Sequence, residues 1–96
     1  MHRINLLERN YMTRENGLEM RKEILANREK GILINLKDIN VMTNSFADEA
    51  FGKLISEEKI PKDKLSQFIK FENATDLVRN IIKKALIVRY AEIKKI

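Results

Sequence analysis

Residues 31–54 read GILINLKDINVMTNSFADEAFGKL, and two periodicities succeed one another within them. Gly31 is followed by ILINL at 32–36, an almost unbroken apolar run closed by Lys37 and Asp38. The run is long enough for a strand and too short for a helix, and its continuity predicts a central strand covered on both faces. After a loop, Phe46, Ala47, Ala50, Phe51, Leu54 and Ile55 recur at i, i+1, i+4, i+5, i+8 and i+9, one broad helical stripe. Asp48, Glu49, Lys53 and Glu57 point away from it. The helix predicted over Ser45–Glu57 opens on Ser45 and Asp48 at capping-box spacing, the hydroxyl accepting from a first-turn N–H while the carboxylate reaches back.

The rest of the chain supplies partners for that strand and helix. Upstream, RINLLE at 3–8 reads as a short first strand. Thr13 then suits the N-cap of a helix over 14–29, with Glu15 in the first turn, where the positive end of the helix dipole favours it. Leu18, Ile24 and Leu25 form a thin apolar stripe, and Gly31 stands where a C-cap glycine would end the segment. Downstream, Pro61 fits the first position of a short helical turn over 61–66. QFIKFE at 67–72 alternates as a third strand, with Ile69 and Phe71 on one face and Phe68 on the other. A last helix starts near Asn73–Thr75 and carries Ala74, Leu77, Val78, Ile81, Ile82 and Ala85 at helical spacing. Strands alternating with helices predict an α/β fold: one small domain spanning 1–96, with a mostly parallel sheet of three to four strands and about three helices. Phe46, Phe51, Leu54, Ile69, Phe71, Val78, Ile81 and Ile82 are its expected core. So few strands leave sheet edges exposed, which a partner or a second copy can use.

Composition narrows the function classes. Ninety-six residues have room for one core. No apolar run approaches the roughly 18 residues of a membrane span, and the opening MHRINLLERN is charged where a signal peptide is apolar, so a soluble, cytoplasmic protein is expected. Without cysteine there is no disulfide, thiolate nucleophile or cysteine zinc site. His2 is the single histidine. Asp48 and Glu49 are neighbours on one helix rather than carboxylates facing across a cleft, and no glycine-rich phosphate loop, metal-ligand cluster or hydrolase elbow occurs. No cofactor, no metal and no catalysis are expected. Gly52 sits inside a helix at a cost of about 1 kcal/mol relative to alanine, so either a neighbouring backbone or a partner approaches it closely.

The net charge of +5 is uneven, with six basic residues against Asp76 and Glu92 in 75–96. A stripe of Arg79, Lys83 and Lys94 makes a nucleic-acid-binding protein one alternative, although Tyr90 is the one base-stacking aromatic on that face. Ile87 and Tyr90, placed among Lys83 and Lys94 on the polar side of the last helix, form a candidate second contact surface for a homodimer or another protein.

The stretch 31–54 also resembles the core signature of the STAS-like domain family of unknown function, whose members carry an apolar strand, a short loop and a helix close to SFADELFGKL. The chain has SFADEAFGKL at 45–54, with Ala50 for the usual leucine. TRENG and FIKFENATDLVRNIIKKAL agree more loosely, so the resemblance covers about residues 11–90. The wider superfamily includes bacterial anti-anti-sigma factors, and the resemblance implies a small α/β regulatory domain that acts by partner switching. There a GHKL-type ATPase kinase phosphorylates a loop serine, and the added charge selects the partner. In this chain Asn44 stands at the usual acceptor position, leaving Thr43 and Ser45 as candidate phosphoacceptors. The loop leaves the carboxyl end of the predicted strand, where open α/β sheets place ligands. The expected docking surface is therefore Thr43, Asn44 and Ser45 with Asp48, Glu49 and Gly52 on the outward face of the helix. A phage or mobile-element inhibitor that occludes a host protein is a further alternative.

Overall fold

A computed structural model gives the architecture and describes residues 1–94. Its sheet has three strands, β1 (His2–Asn5), β2 (Ile32–Asn35) and β3 (Ile69–Glu72), all parallel and in the spatial order β1-β2-β3. Four helices accompany it. α1 is Arg14–Ala26. α2 is continuous from Asn44: an α turn Asn44–Ala47, a π-wound segment Asp48–Gly52 and an α turn Lys53–Ser56. α3 is Lys62–Phe68, and α4 is Asp76–Lys94.

The register places Ile4, Ile34 and Phe71 in one row and Ile32 and Ile69 in the next, on the face that meets the helices. Among the described residues no helix covers the other face. Arg3 and Lys70 are exposed there, and Asn5, Leu33, Asn35 and Glu72 are half-exposed. The strand in ILINL is thus buried on one face, not both, and Asn35 shows why. Its amide donates to Asn5 Oδ1 (3.1 Å) and its oxygen accepts from Asn73 (2.8 Å), while Arg3 meets Glu72 at 3.2 Å, so polar side chains finish the outer face themselves.

Element ends also differ from expectation in places. RINLLE is a strand only to Asn5, after which Leu6–Glu8 form a 3-10 turn with Leu6 in the core. α1 begins at Thr13 as predicted: its hydroxyl accepts from Asn16 N, and the Asn16 side chain answers the Thr13 N–H. It stops at Ala26, and a 3-10 turn, Arg28–Lys30, leads to Gly31, whose φ of 77° is left-handed territory that suits glycine. Gln67 and Phe68, expected in the third strand, end α3 instead, and the strand starts at Ile69. Thr75 accepts from Val78 N at the start of α4.

α2 is the middle helix of its layer, packed on α1 along one side and α4 along the other. All six apolar residues of its predicted stripe are buried. Phe46 and Phe51 belong to a run of edge-on aromatic contacts, Tyr11–Phe46 (6.4 Å), Phe46–Phe51 (6.1 Å) and Phe51–Phe71 (5.3 Å), that crosses the core from the chain before α1 to β3. Of the expected core, Phe71 at 37% exposure and the half-exposed Ile81 lie at its margin; Leu77, on the predicted stripe of the last helix, is 55% exposed.

Candidate functional site

The loop after β2 reaches the N-terminus of α2, where two hydroxyls compete for the cap. Thr43 takes it. Its Oγ1 accepts from Phe46 N (3.1 Å) and donates to Met12 O (2.9 Å), fastening the start of α2 to the chain before α1. Ser45, predicted to be the cap, lies two positions further on, inside the first turn, and is exposed, with no hydrogen bond from its hydroxyl among the described residues. Asp48 therefore does not answer a capping serine.

Asp48 is held from two neighbouring helices instead. Arg89 of α4 grips it with two hydrogen bonds of 2.6 Å, and Arg14 of α1 adds a third at 3.0 Å. The Arg89 guanidinium, with Arg14 behind it, holds the Asp48 carboxyl down to about 2, against 3.8 ordinarily, and the same pairing raises Arg89. Glu49 is only 7% exposed. Arg21 (2.9 Å), Arg14 (3.1 Å) and Lys53 (3.1 Å) surround it, and Glu58 adds a looser contact to Arg21 at 3.6 Å. Burial works to raise the Glu49 pKa, but Lys53, Arg14 and Arg21 outweigh it and the carboxyl titrates below its ordinary value.

Two glycines make this closeness sterically feasible. A Cβ on Gly17 of α1 would lie 2.7 Å from Glu49 Cβ and 2.9 Å from Phe46 O; one on Gly52 would lie 2.9 Å from Asp48 Oδ1 and 3.1 Å from Ala85 O. Of the two explanations for Gly52, the structure has the neighbouring backbone, that of α4. Glu49 and Gly52 consequently do not lie on an outward face. They are buried in the helical layer, and Asp48 is half-buried beside them. The sequence offered no signal for this, since the arginines that claim the two carboxylates are 28 to 41 positions away.

What remains open is the mouth of α2. A groove of about 300 Å³ lies between it and α4, with Asn44 and Ser45 on one bank and Ile81, Ala85 and Val88 on the other; Arg14, Lys84 and Arg89 line it alongside Asp48 and Glu92. Leu77 extends the α4 bank one turn before Ile81, and Val88 is 47% exposed. The groove thus combines an apolar wall, a helix N-terminus, an unengaged hydroxyl and three cations against two carboxylates.

The second candidate surface is divided. Ile87 is 48% exposed, and Lys83 and Lys94 are exposed. Tyr90 is half-buried and faces Ile55 and Ile60 beside the 59–63 turn, its ring flanked by the ammonium groups of Lys62 (5.4 Å) and Lys94 (5.5 Å). It is part of the core margin rather than an exposed aromatic. Arg79 touches Asp76 at 3.4 Å, and Lys95 of the basic tail lies outside the described residues. His2 is bound to Glu23 at 2.7 Å. Among the described residues no cluster of three or more metal-ligating side chains occurs, and no helix is long and apolar enough to cross a membrane.

A family model described as STAS-like domain of unknown function (DUF4325) matches residues 16–79, from the first turns of α1 to the start of α4. No curated protein and no solved structure matches the chain.

Proposed function

The chain belongs to the STAS-like domain family, and on that footing we propose that it is a non-enzymatic regulatory module that docks another protein at the mouth of α2. The observation that carries this reading is the division of labour at that helix. Thr43 secures the cap, cations engage Asp48 and Glu49, and Asn44 and Ser45 are left exposed beside an apolar wall. Docking needs only Asn44, Ser45, Ile81, Lys84 and Val88; Asp48, Glu49 and Gly52 hold the groove in shape.

Partner switching fits the same geometry. A phosphate on Ser45 would stand in the first turn of a helix, with Arg14 and Lys84 in the same groove and Asp48 already neutralised by Arg89. Thr43 is the poorer acceptor, because modifying it removes the cap and the Met12 bond together. A GHKL-type ATPase is the kinase and partner proposed by analogy with the wider superfamily.

A photo-crosslinking residue at Asn44, and a control at the exposed Lys30 beyond the far end of α1, tests the reading in cells of the source organism. The expected result is a discrete protein adduct from position 44 that position 30 does not give, with mass spectrometry finding phosphate on Ser45 in one of the partner states. Equal adducts from both positions, or none from 44, would remove the docking surface from this groove.

A further inference from the structure

The edge of the sheet at β3 stands apart from the groove at α2. β3 is hydrogen-bonded to β2 on one side, and among the described residues no strand lies on its other side. The chain turns sharply at Asn73, in the left-handed region at φ 59°, and continues as α4 without returning to the sheet. α4 packs on α2, and its Ile82 and Leu86 line hollows together with Phe71 of β3. Phe71 registers the consequence. It shares a row with Ile4 and Ile34, both fully buried, yet is itself 37% exposed.

Between β3 and α4 runs an apolar trough in two connected parts that share Phe71 and Leu86. One part, about 260 Å³, reaches down to Leu65 and Ile69; the other, about 380 Å³, reaches Leu36 and Ile82. Lys62 lines the first part, Arg79 and Lys83 line the second, and among the described residues no carboxylate lines either. An unpaired strand edge beside an apolar trough is the arrangement that takes an added strand, with main-chain hydrogen bonds for affinity and pockets for alternate side chains.

We propose that the β3 edge binds an extended, acidic segment of a partner protein by strand addition, its alternate apolar side chains entering the trough around Phe71 and Leu86. The charge favours a partner over a second copy. A two-fold pairing of β3 edges would bring Lys62, Arg79 and Lys83 of both copies to one interface, whereas an acidic segment complements them.

Selection from a display library of random peptides of about eight residues, an ordinary strand length, tests this on the intact chain. Enriched peptides should alternate apolar residues with Asp or Glu, and the synthetic peptide should shift the backbone amide resonances of residues 69–72. N-methylation of alternate peptide amides should weaken binding by about tenfold for each ladder hydrogen bond lost, and methylation of the amides between them should not. Lys62→Glu with Lys83→Glu, both exposed positions, should weaken it at least as much. No enrichment, amide shifts confined to other residues, or an N-methyl profile without two-residue periodicity overturns the proposal. So does concentration-dependent dimerisation that shifts residues 69–72 without peptide, which would assign the edge to a second copy.

Discussion

Replacing Gly17 with alanine adds one methyl group where α1 crosses α2, and the geometry sets its cost. The new Cβ would stand 2.7 Å from Glu49 Cβ, 2.9 Å from Phe46 O and 3.2 Å from Ala50 N. Carbon atoms rest at about 3.5–4.0 Å, and two of the three obstacles are backbone atoms, so the helices must part by about 1 Å. Alanine gains about 1 kcal/mol of helix propensity. Against this stand an overpacking cost of about 1–3 kcal/mol and the stretching of the buried Arg21–Glu49 pair, now at 2.9 Å, whose desolvation is repaid only in good geometry. The expected net loss is about 2 kcal/mol, or a fall in Tm of roughly 8–16 °C for a chain of this size. Thermal and urea denaturation followed by circular dichroism reads it, with exposed Glu19→Ala in the same helix as a reference that should move by less than about 0.5 kcal/mol. If Gly17→Ala is as stable as the parent, α1 and α2 do not approach this closely. The ion pairs that orient Asp48 and Glu49 would then lose their structural basis.

Gly52→Arg should destabilise the fold by about 2 kcal/mol or more, because the added side chain would begin 3.1 Å from Ala85 O; unchanged denaturant midpoints would contradict the α2–α4 packing. Thr43→Ala should cost about 1 kcal/mol through the lost cap, and Ser45→Ala less than about 0.5 kcal/mol, an order that the two urea midpoints check and whose reversal would return the cap to Ser45. Asp48, held at about 2 against 3.8, stabilises the fold fully above pH about 4 and loses that contribution as pH falls towards 2, roughly 1–2 kcal/mol after solvent screening. Asp48→Asn should therefore flatten the acid limb of stability against pH in that window, and an unaltered limb would mean that Arg89 does not hold the carboxylate.

The apolar half of the fold was legible because burial leaves a period. Phe46, Ala47, Ala50, Phe51, Leu54 and Ile55 are all buried, as their spacing required, and the strand–helix order follows from the same patterns. The outer face of β2 is written in Asn35, a polar residue inside the apolar run: Ile32 and Ile34 are buried against the helices while Leu33 and Asn35 are not. Other features were not written locally. Thr43 and Ser45 are both competent caps two positions apart, and the carbonyl of Met12, 31 positions away, favours Thr43. A carboxylate on the polar side of a helix reads as solvated until a second helix brings an arginine to it, and Arg21 and Arg89 come from opposite flanks of α2. Gly52 announced a close approach but could not say by what.

The same long-range pairs decide which part of α2 stays exposed. With α1 and α4 both drawn in by carboxylates of the π-wound segment, the body of the helix is enclosed by Gly17 on one flank and by Ala85 on the other, opposite Gly52. π turns recur at functional sites, and this one places Asp48 against Arg89 and Glu49 against Arg21, so that the acids of the signature SFADEAFGKL are spent inside the molecule. Their electrostatic effect on the surface is thereby largely cancelled. An anionic group arriving at Ser45 meets Arg14, Lys84 and the helix N-terminus before it meets any uncompensated carboxylate. Adding negative charge at Ser45 would then compete with Asp48 for Arg14, the more exposed of its two arginines, while the bidentate Arg89 contact persists. A charge change at the mouth of α2 would in this way alter the surface proposed for docking without dismantling the packing beneath it.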